Sequence, residues 1–264
     1  MQEKNANQVR SRNDTFAERT STKIYLEQAS DDNPYIASGT FFHGYDVSEL
    51  MAKRSFADVF YLLFRGELPR PEEVQMLEQL MIALINPGPR HPATRAAMNA
   101  GIGKTDPAHI LPIGAALLGG EHHGGGLVEE SMRFLRKQQN TDAAVCAATH
   151  IESSTPTPGF GAYYGGVDLL ASKYAAQLAQ LPGAGKALQW GNQLSCALEA
   201  KGMGWLMPGV AAAVLSDLGF QPKLGVCLYQ LMGAPGLVAH GIELANKPIT
   251  AMPFVADDNY FIER

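Results

Sequence analysis

Residues 114–130 read Gly-Ala-Ala-Leu-Leu-Gly-Gly-Glu-His-His-Gly-Gly-Gly-Leu-Val-Glu-Glu. An apolar run from Ile110 to Leu118 ends in Gly119-Gly120, two histidines follow, and a second amphipathic run begins at Leu127. Glu129 and Glu130 in its first turn complement the positive end of a helix dipole, so the pattern predicts helix, tight glycine turn, helix. Gly124, Gly125 and Gly126 permit positive φ and let a ligand approach the main chain. Free N–H groups opening the second helix favour an anion or a developing oxyanion beside the imidazole. His123 there is placed to donate a hydrogen bond to a carbonyl as charge builds on it. The plainer reading is a glycine-rich connection with solvent-facing histidines, His122 serving as a structural neighbour.

Helical signals extend on both sides. Upstream, residues 23–28 and 34–42 read as short strands around an Asp31-Asp32-Asn33-Pro34 turn. Asp46 is an N-cap for 47–51 and Ser55 caps 56–64. A helix opening at Pro69 to Glu73 carries Leu77, Leu80, Met81 and Leu84 on one stripe. Asn86-Pro87-Gly88-Pro89 stops it, and 94–100 and 107–119 follow as helices. Downstream, 127–139 and 143–151 are helical until Ser-Ser-Thr-Pro-Thr-Pro-Gly-Phe-Gly, 153–161, a rigid loop and a domain boundary. Further helices are predicted over 167–181, 187–199, 210–218, 224–232 and 236–244, with a glycine-rich loop at 201–209 and an irregular tail over 247–264. The expectation is a mainly α protein of roughly a dozen helices with short N-terminal strands. Its parts are a flexible tail (1–22), a large helical domain (23–152 and 223–264) and a small domain (153–222).

Bulk properties narrow the function. A net charge of −5 over 264 residues sets aside nucleic acid and anionic membranes as main partners. No apolar run is long enough to span a bilayer, and residues 1–22 hold no signal-peptide core. Cys146, Cys196 and Cys227 lie among apolar neighbours and form neither a metal spacing nor a disulfide framework. They read as buried free thiols in a reducing, cytoplasmic setting, with no metal expected.

Four stretches together resemble the citrate synthase superfamily, including its short citryl-CoA lyase branch. Residues 44–69 look like the family's opening helices, and His123-Gly124-Gly125 looks like its His-Gly-Gly motif. Pro158-Gly159-Phe160-Gly161 looks like its Pro-Gly-Phe-Gly-His loop, and 213–219 with 235–243 look like its last long helices. The resemblance implies a large and a small helical domain and chemistry that makes or breaks a carbon–carbon bond beside a CoA thioester. In such a site an aspartate removes the acyl α-proton, one histidine stabilises the enolate, a second polarises the acceptor, and arginines hold carboxylates. Carried over residue by residue, His123 matches the enolate-stabilising histidine, with Gly124 and Gly125 beside it. His91 matches a substrate-binding histidine, and Pro158, Gly159, Phe160 and Gly161 match the loop that folds over the CoA adenine. His240 matches a family histidine expected to be packed and hydrogen-bonded, and Asp217 reads as a structural cap or ion pair.

The departures are as specific as the matches. Ala162 stands where the second histidine is expected and Pro208 where the catalytic aspartate is expected. Residues 163–172 hold no arginine, Gly233 lies where another is usual, and Met252 precedes Pro253 in place of a third. Asp168 and Glu199 are candidates for a displaced base, with solvated helix charges as the alternative, and Tyr163 and Tyr164 occupy the missing-histidine region. The expected function is therefore a divergent acyl-CoA lyase or synthase acting on an altered substrate through His123. The alternative is a non-catalytic CoA-thioester-binding or partner subunit. No tightly bound cofactor is expected, a CoA thioester is the ligand, and the resemblance implies a homodimer or a hetero-oligomer with a related subunit.

Overall fold

Turn chemistry organises the N-terminal part of the chain in the computed structural model, which describes residues 18–263. Most of the tail expected over 1–22 lies outside the described residues. Two compact units divide between Leu68 and Pro69. In the first, Asn33 Oδ1 accepts from Tyr35 N–H at 2.9 Å, and Ser30 N–H donates to Ile36 O at 2.8 Å. This loop brings β1 (Tyr25–Ala29) antiparallel to β2 (Ala37–Phe42), with Tyr25 opposite Phe42. The turn absorbs residues 34–36, so β2 starts later than predicted. β3 (Tyr45–Asp46) completes a meander. Asp46 caps α1 (Val47–Lys53), and a Ser55/Asp58 capping box starts α2 (Phe56–Arg65). α2 stops at Gly66, whose φ of +77° favours glycine.

The second unit is helical. It contains α3 (Pro71–Leu84), α4 (Pro92–Ile102), α5 (Pro107–Leu118), α6 (Gly125–Gln138), α7 (Ala143–Glu152), α8 (Leu169–Leu178), α9 (Lys186–Leu198), α10 (Met207–Asp217) and α11 (Pro222–Ala245). A two-stranded ribbon pairs β4 (Phe160–Gly161) with β5 (Gly204–Trp205). The mainly α expectation holds, with eleven α-helices among the described residues. Residues 208–215 of α10 are all buried, so this helix is apolar all round and packs against α6, α9 and α11. On α3, Leu77, Leu80 and Leu84 are buried with Met76, whereas Met81 is only half-buried.

Two expectations need correction. The helices predicted over 224–232 and 236–244 are one helix of 24 residues, α11, with Pro235 inside it. Pro235 has no N–H to donate, and the next N–H, of Gly236, turns to Ile85 O at 2.9 Å. A Cβ on Gly236 would lie 2.6 Å from Asn86 Cα, so a notch in α11 receives the end of α3. The three cysteines are free, but only Cys146 is buried while Cys196 and Cys227 are exposed. On α9 the buried stripe runs through Gly191, Leu194, Ser195 and Leu198, which leaves Cys196 on the outer face.

Asp217 is a cap, as expected. Its carboxylate, at the end of α10, accepts from the N–H groups of Gly185 (3.1 Å), Ala187 (2.8 Å) and Leu188 (3.0 Å) at the start of α9. Burial pushes its carboxyl up, and the three donors partly offset that shift. Asp217→Ala strands those donors at a helix start with no other side-chain cap. It should cost about 1–3 kcal/mol in urea unfolding, and Asp217→Asn should recover part of it.

Candidate functional site

The glycine turn is assembled by contact within the protein. α6 begins at Gly125, two residues earlier than predicted, so Glu129 and Glu130 fall in its second turn. Glu129 pairs there with Arg133 at 2.6 Å. Gly124 is extended, with φ −130° and ψ −160°, and none of Gly124, Gly125 and Gly126 has positive φ. The glycines instead allow close packing. A Cβ on Gly124 would overlap the Leu118 carbonyl oxygen, and one on Gly125 would lie 2.9 Å from Val226 Cγ1. The Gly126 N–H donates to Gly119 O (3.1 Å) and Gly120 O (3.2 Å). One of the opening N–H groups expected to face an anion is therefore satisfied by the end of α5.

His91 holds this turn in place. Its Nδ1 accepts from Ala93 N–H at 3.1 Å, capping α4, and its Nε2 lies 3.0 Å from His123 O. With Nδ1 accepting, the proton sits on Nε2, which donates to that carbonyl. Both ring nitrogens are engaged. His91 also lines the cavity described next, so besides its expected place at the substrate it positions the His123 backbone.

His123 lines a cavity of about 370 Å³ in the second unit, a volume typical of a small-molecule site. The residue is exposed, but its ring meets the Tyr163 ring edge-on at 5.4 Å and 89°. Desolvation, with His91 and His122 adding to it, holds its pKa below the usual 6.5. A neutral imidazole at the cavity wall is a hydrogen-bond donor suited to a carbonyl that gains charge.

Tyr163, Asp168, Tyr229, Arg90 and Pro208 line the same cavity. Asp168 Oδ1 caps α8 by accepting from Leu170 N–H and Ala171 N–H, each at 3.0 Å. Burial raises the Tyr163 phenol, as do a hydrogen bond with Tyr164 and the charge of Asp168, while Arg90 lowers it. Tyr229 is 6% exposed, and its hydroxyl makes no hydrogen bond among the described residues. Burial raises its pKa far above the ordinary phenol value, so it remains a protonated donor. Of the two displaced-base candidates, Asp168 lies at the cavity, whereas Glu199 is exposed in a single helical turn after α9. Sequence reading passed over Tyr229 and Arg90. Tyr229 sits beside Leu228 in the buried stripe of α11, where only the packing reveals that its hydroxyl meets a cavity.

Pro158, Gly159, Phe160 and Gly161 are absent from the cavity wall. Phe160 is buried and stacks on Trp205 at 4.2 Å. Gly159, with φ +85°, accepts from Leu206 N–H at 2.9 Å, and a Cβ on Gly209 would collide with its carbonyl. The tetrapeptide pins the start of α10, and thereby holds Leu206, Met207 and Pro208 at the cavity. His240 is hydrogen-bonded as expected, its Nε2 lying 3.2 Å from Asn86 Nδ2. Among the described residues no group of three His, Cys, Asp or Glu side chains is placed to hold a metal ion. No described helix is long and apolar enough to cross a membrane.

Comparison with known proteins agrees with this fold. The profile of the citrate synthase C-terminal domain family matches residues 20–90. Among solved structures, the citryl-CoA lyase of Hydrogenobacter thermophilus superposes with a TM-score of 0.77 at 25% identity, over 93% of this chain and 95% of that one. An ATP citrate lyase of Methanosaeta concilii in complex with (3S)-citryl-CoA gives 0.68 at 17% identity, over 90% of this chain but 42% of that one. The citrate synthase of Thermoplasma acidophilum, in a ternary complex with carboxymethyl coenzyme A and oxaloacetate, gives 0.61 at 20% identity, over 80% and 57%. No curated protein gives a significant match. The chain has the citrate synthase-like helical fold, and its residues 20–90 match that family's C-terminal domain.

Proposed function

We propose that the cavity binds an acyl-CoA thioester and that Asp168 and His123 interconvert it with its enolate, for carbon–carbon bond formation or cleavage with an altered partner. The observation that carries this reading is that a carboxylate, Asp168, an imidazole, His123, and a buried phenol, Tyr229, line one cavity. In the forward sense the α-C–H bond breaks and its proton passes to the Asp168 carboxylate. The electron pair forms the enolate double bond, and the negative charge on the thioester oxygen receives a hydrogen bond from His123. The enolate carbon then attacks a carbonyl carbon, whose π bond breaks as the carbon–carbon bond forms, and the oxygen, accepting a hydrogen bond from the Tyr229 hydroxyl, takes up a proton from water. Cleavage runs the same steps in reverse. The segment 153–222 contributes Tyr163, Asp168 and Pro208, while His123, Arg90 and Tyr229 come from outside it.

Exchange of acetyl-CoA α-protons in deuterated buffer tests the proposal. Wild-type protein should catalyse exchange, and His123→Ala should lower the rate by about 10²–10³-fold, the cost typical of one lost oxyanion donor. Because His123 titrates below 6.5, exchange should persist as pH drops past 6.5 and decline only when the imidazole protonates at lower pH. Binding of acetyl-CoA without exchange would favour the second reading, a non-catalytic CoA-thioester-binding subunit, in keeping with the resemblance that sets Pro208 where the family's base is expected. Absence of both binding and exchange would overturn both readings.

A further inference from the structure

Cations collect at the end of α6 opposite His123. Arg133, Arg136 and Lys137 of α6 and Lys223 of α11 line an open groove of about 730 Å³ with Gln221 and Pro222, and among the described residues no Asp or Glu lines it. Arg136 and Lys137 have a local reason, since they sit in the last turn of α6 and complement the negative end of its dipole. Arg133 has one in Glu129. Lys223 has none. It stands in the first turn of a 24-residue helix, where the positive end of the dipole repels it, and that turn holds neither an acidic residue nor a side-chain cap. The Lys137 and Lys223 side chains make no ion pair or hydrogen bond with any described residue. Arg136 is fixed in place, its Nη2 donating to Phe220 O at 2.6 Å and its Nη1 to Gln221 Oε1 at 3.2 Å. A guanidinium carries more N–H groups than these two bonds use, so donors remain for a ligand. Gathering these cations on one groove costs repulsion that an anion would cancel, and a break with local preference of this kind marks functional sites.

We propose that this groove is a second binding site, for a small molecule that bears a diphosphate group. Arg136 offers a preset fork for phosphoryl oxygens. Lys137 and Lys223 supply charge from two helices, and the start of α11 adds the positive end of its dipole. The net charge of −5 favours a small ion over nucleic acid or an anionic membrane. α6 runs for 14 residues, about 20 Å, between the glycine turn that carries His123 and the groove. The site is therefore separate from the cavity, and it does not depend on the acyl-CoA reading. An anion held there would tie the end of α6 to the start of α11, the helix that carries Tyr229 to the cavity.

The test is calorimetric titration of the full chain with pyrophosphate, repeated in the presence of acetyl-CoA. Pyrophosphate should bind with or without the thioester, and it should raise the thermal midpoint of unfolding. The double variant Lys137→Gln, Lys223→Gln should weaken binding at least about tenfold, the scale of lost charge-assisted hydrogen bonds, and should lose the thermal shift. Neither lysine side chain holds another residue, so the variant should fold as the wild type does. Removing Lys223 from the positive helix end should not lower its midpoint without pyrophosphate. Lys173→Gln, on α8 and outside the groove, should leave pyrophosphate affinity unchanged and controls for bulk charge. No pyrophosphate binding, or equal binding by the double variant, would overturn the proposal. So would displacement of pyrophosphate by acetyl-CoA, which would place it in the thioester's own site. Tighter binding to phosphatidylglycerol vesicles than to pyrophosphate, lost in the double variant, would also overturn it and make the groove a membrane contact.

Discussion

Asp168→Asn should reduce acetyl-CoA α-proton exchange by about 10²–10⁴-fold, the range for losing a positioned general base. The substitution is well suited to the question. Asparagine caps helices about as well as aspartate, so the bonds from Leu170 N–H and Ala171 N–H to the Oδ1 position survive. The loss should therefore appear in the exchange rate while thermal stability and acetyl-CoA affinity stay near wild type. Asp168→Ala separates the roles, because it also removes the cap and should add about 1 kcal/mol of destabilisation. Unchanged exchange in Asp168→Asn would remove this residue as the base. The Pro208→Asp variant would then ask whether a carboxylate at this second cavity position is what the site lacks.

Gly124→Ala is the second large effect, and it acts through packing. The added methyl would overlap the Leu118 carbonyl and lie 2.8 Å from both Gly120 N and Gly120 O, all backbone atoms that cannot rotate away. The end of α5 and the start of α6 would have to part, carrying with them the His123 carbonyl that His91 holds. A cost of about 3 kcal/mol, the upper end for overpacking, is expected in urea unfolding, with exchange falling further than stability alone explains. Gly126→Ala provides the comparison. Its methyl would come no closer than 3.0 Å to any neighbour, so its cost should be smaller. Equal effects at the two positions would mean that close packing is not why glycine stands at 124.

These cases show what could be read from the residues and what could not. Caps and stop signals are local, so Asp46, Ser55 and the Asn86-Pro87-Gly88-Pro89 break were legible in the sequence. The family frame was legible too, because its motifs fall in order along the chain. The purpose of the glycines was not. Three in a row suggest a left-handed turn or a bound anion, whereas their reason lies in Leu118 and Val226, six and about a hundred residues away. His91 read as a ligand-binding group, and what the sequence could not show is that both of its nitrogens have partners within the chain. The Pro-Gly-Phe-Gly loop read as a binding surface, and what the sequence could not show is that Phe160 is buried against Trp205. Pro235 looked like a terminus because a proline ring ends most helices. Here the end of another helix supplies the acceptor that keeps α11 in register.

That last junction makes the long helix and the arginine-bearing loop mechanically dependent on one another. The Ile85 carbonyl is satisfied by an amide that an unbroken α11 would keep for itself. Straightening the rod at residue 235 would orphan that oxygen and push out the segment leading to Arg90. Here a flaw in one helix serves as the socket that holds a side chain of another segment at the cavity wall.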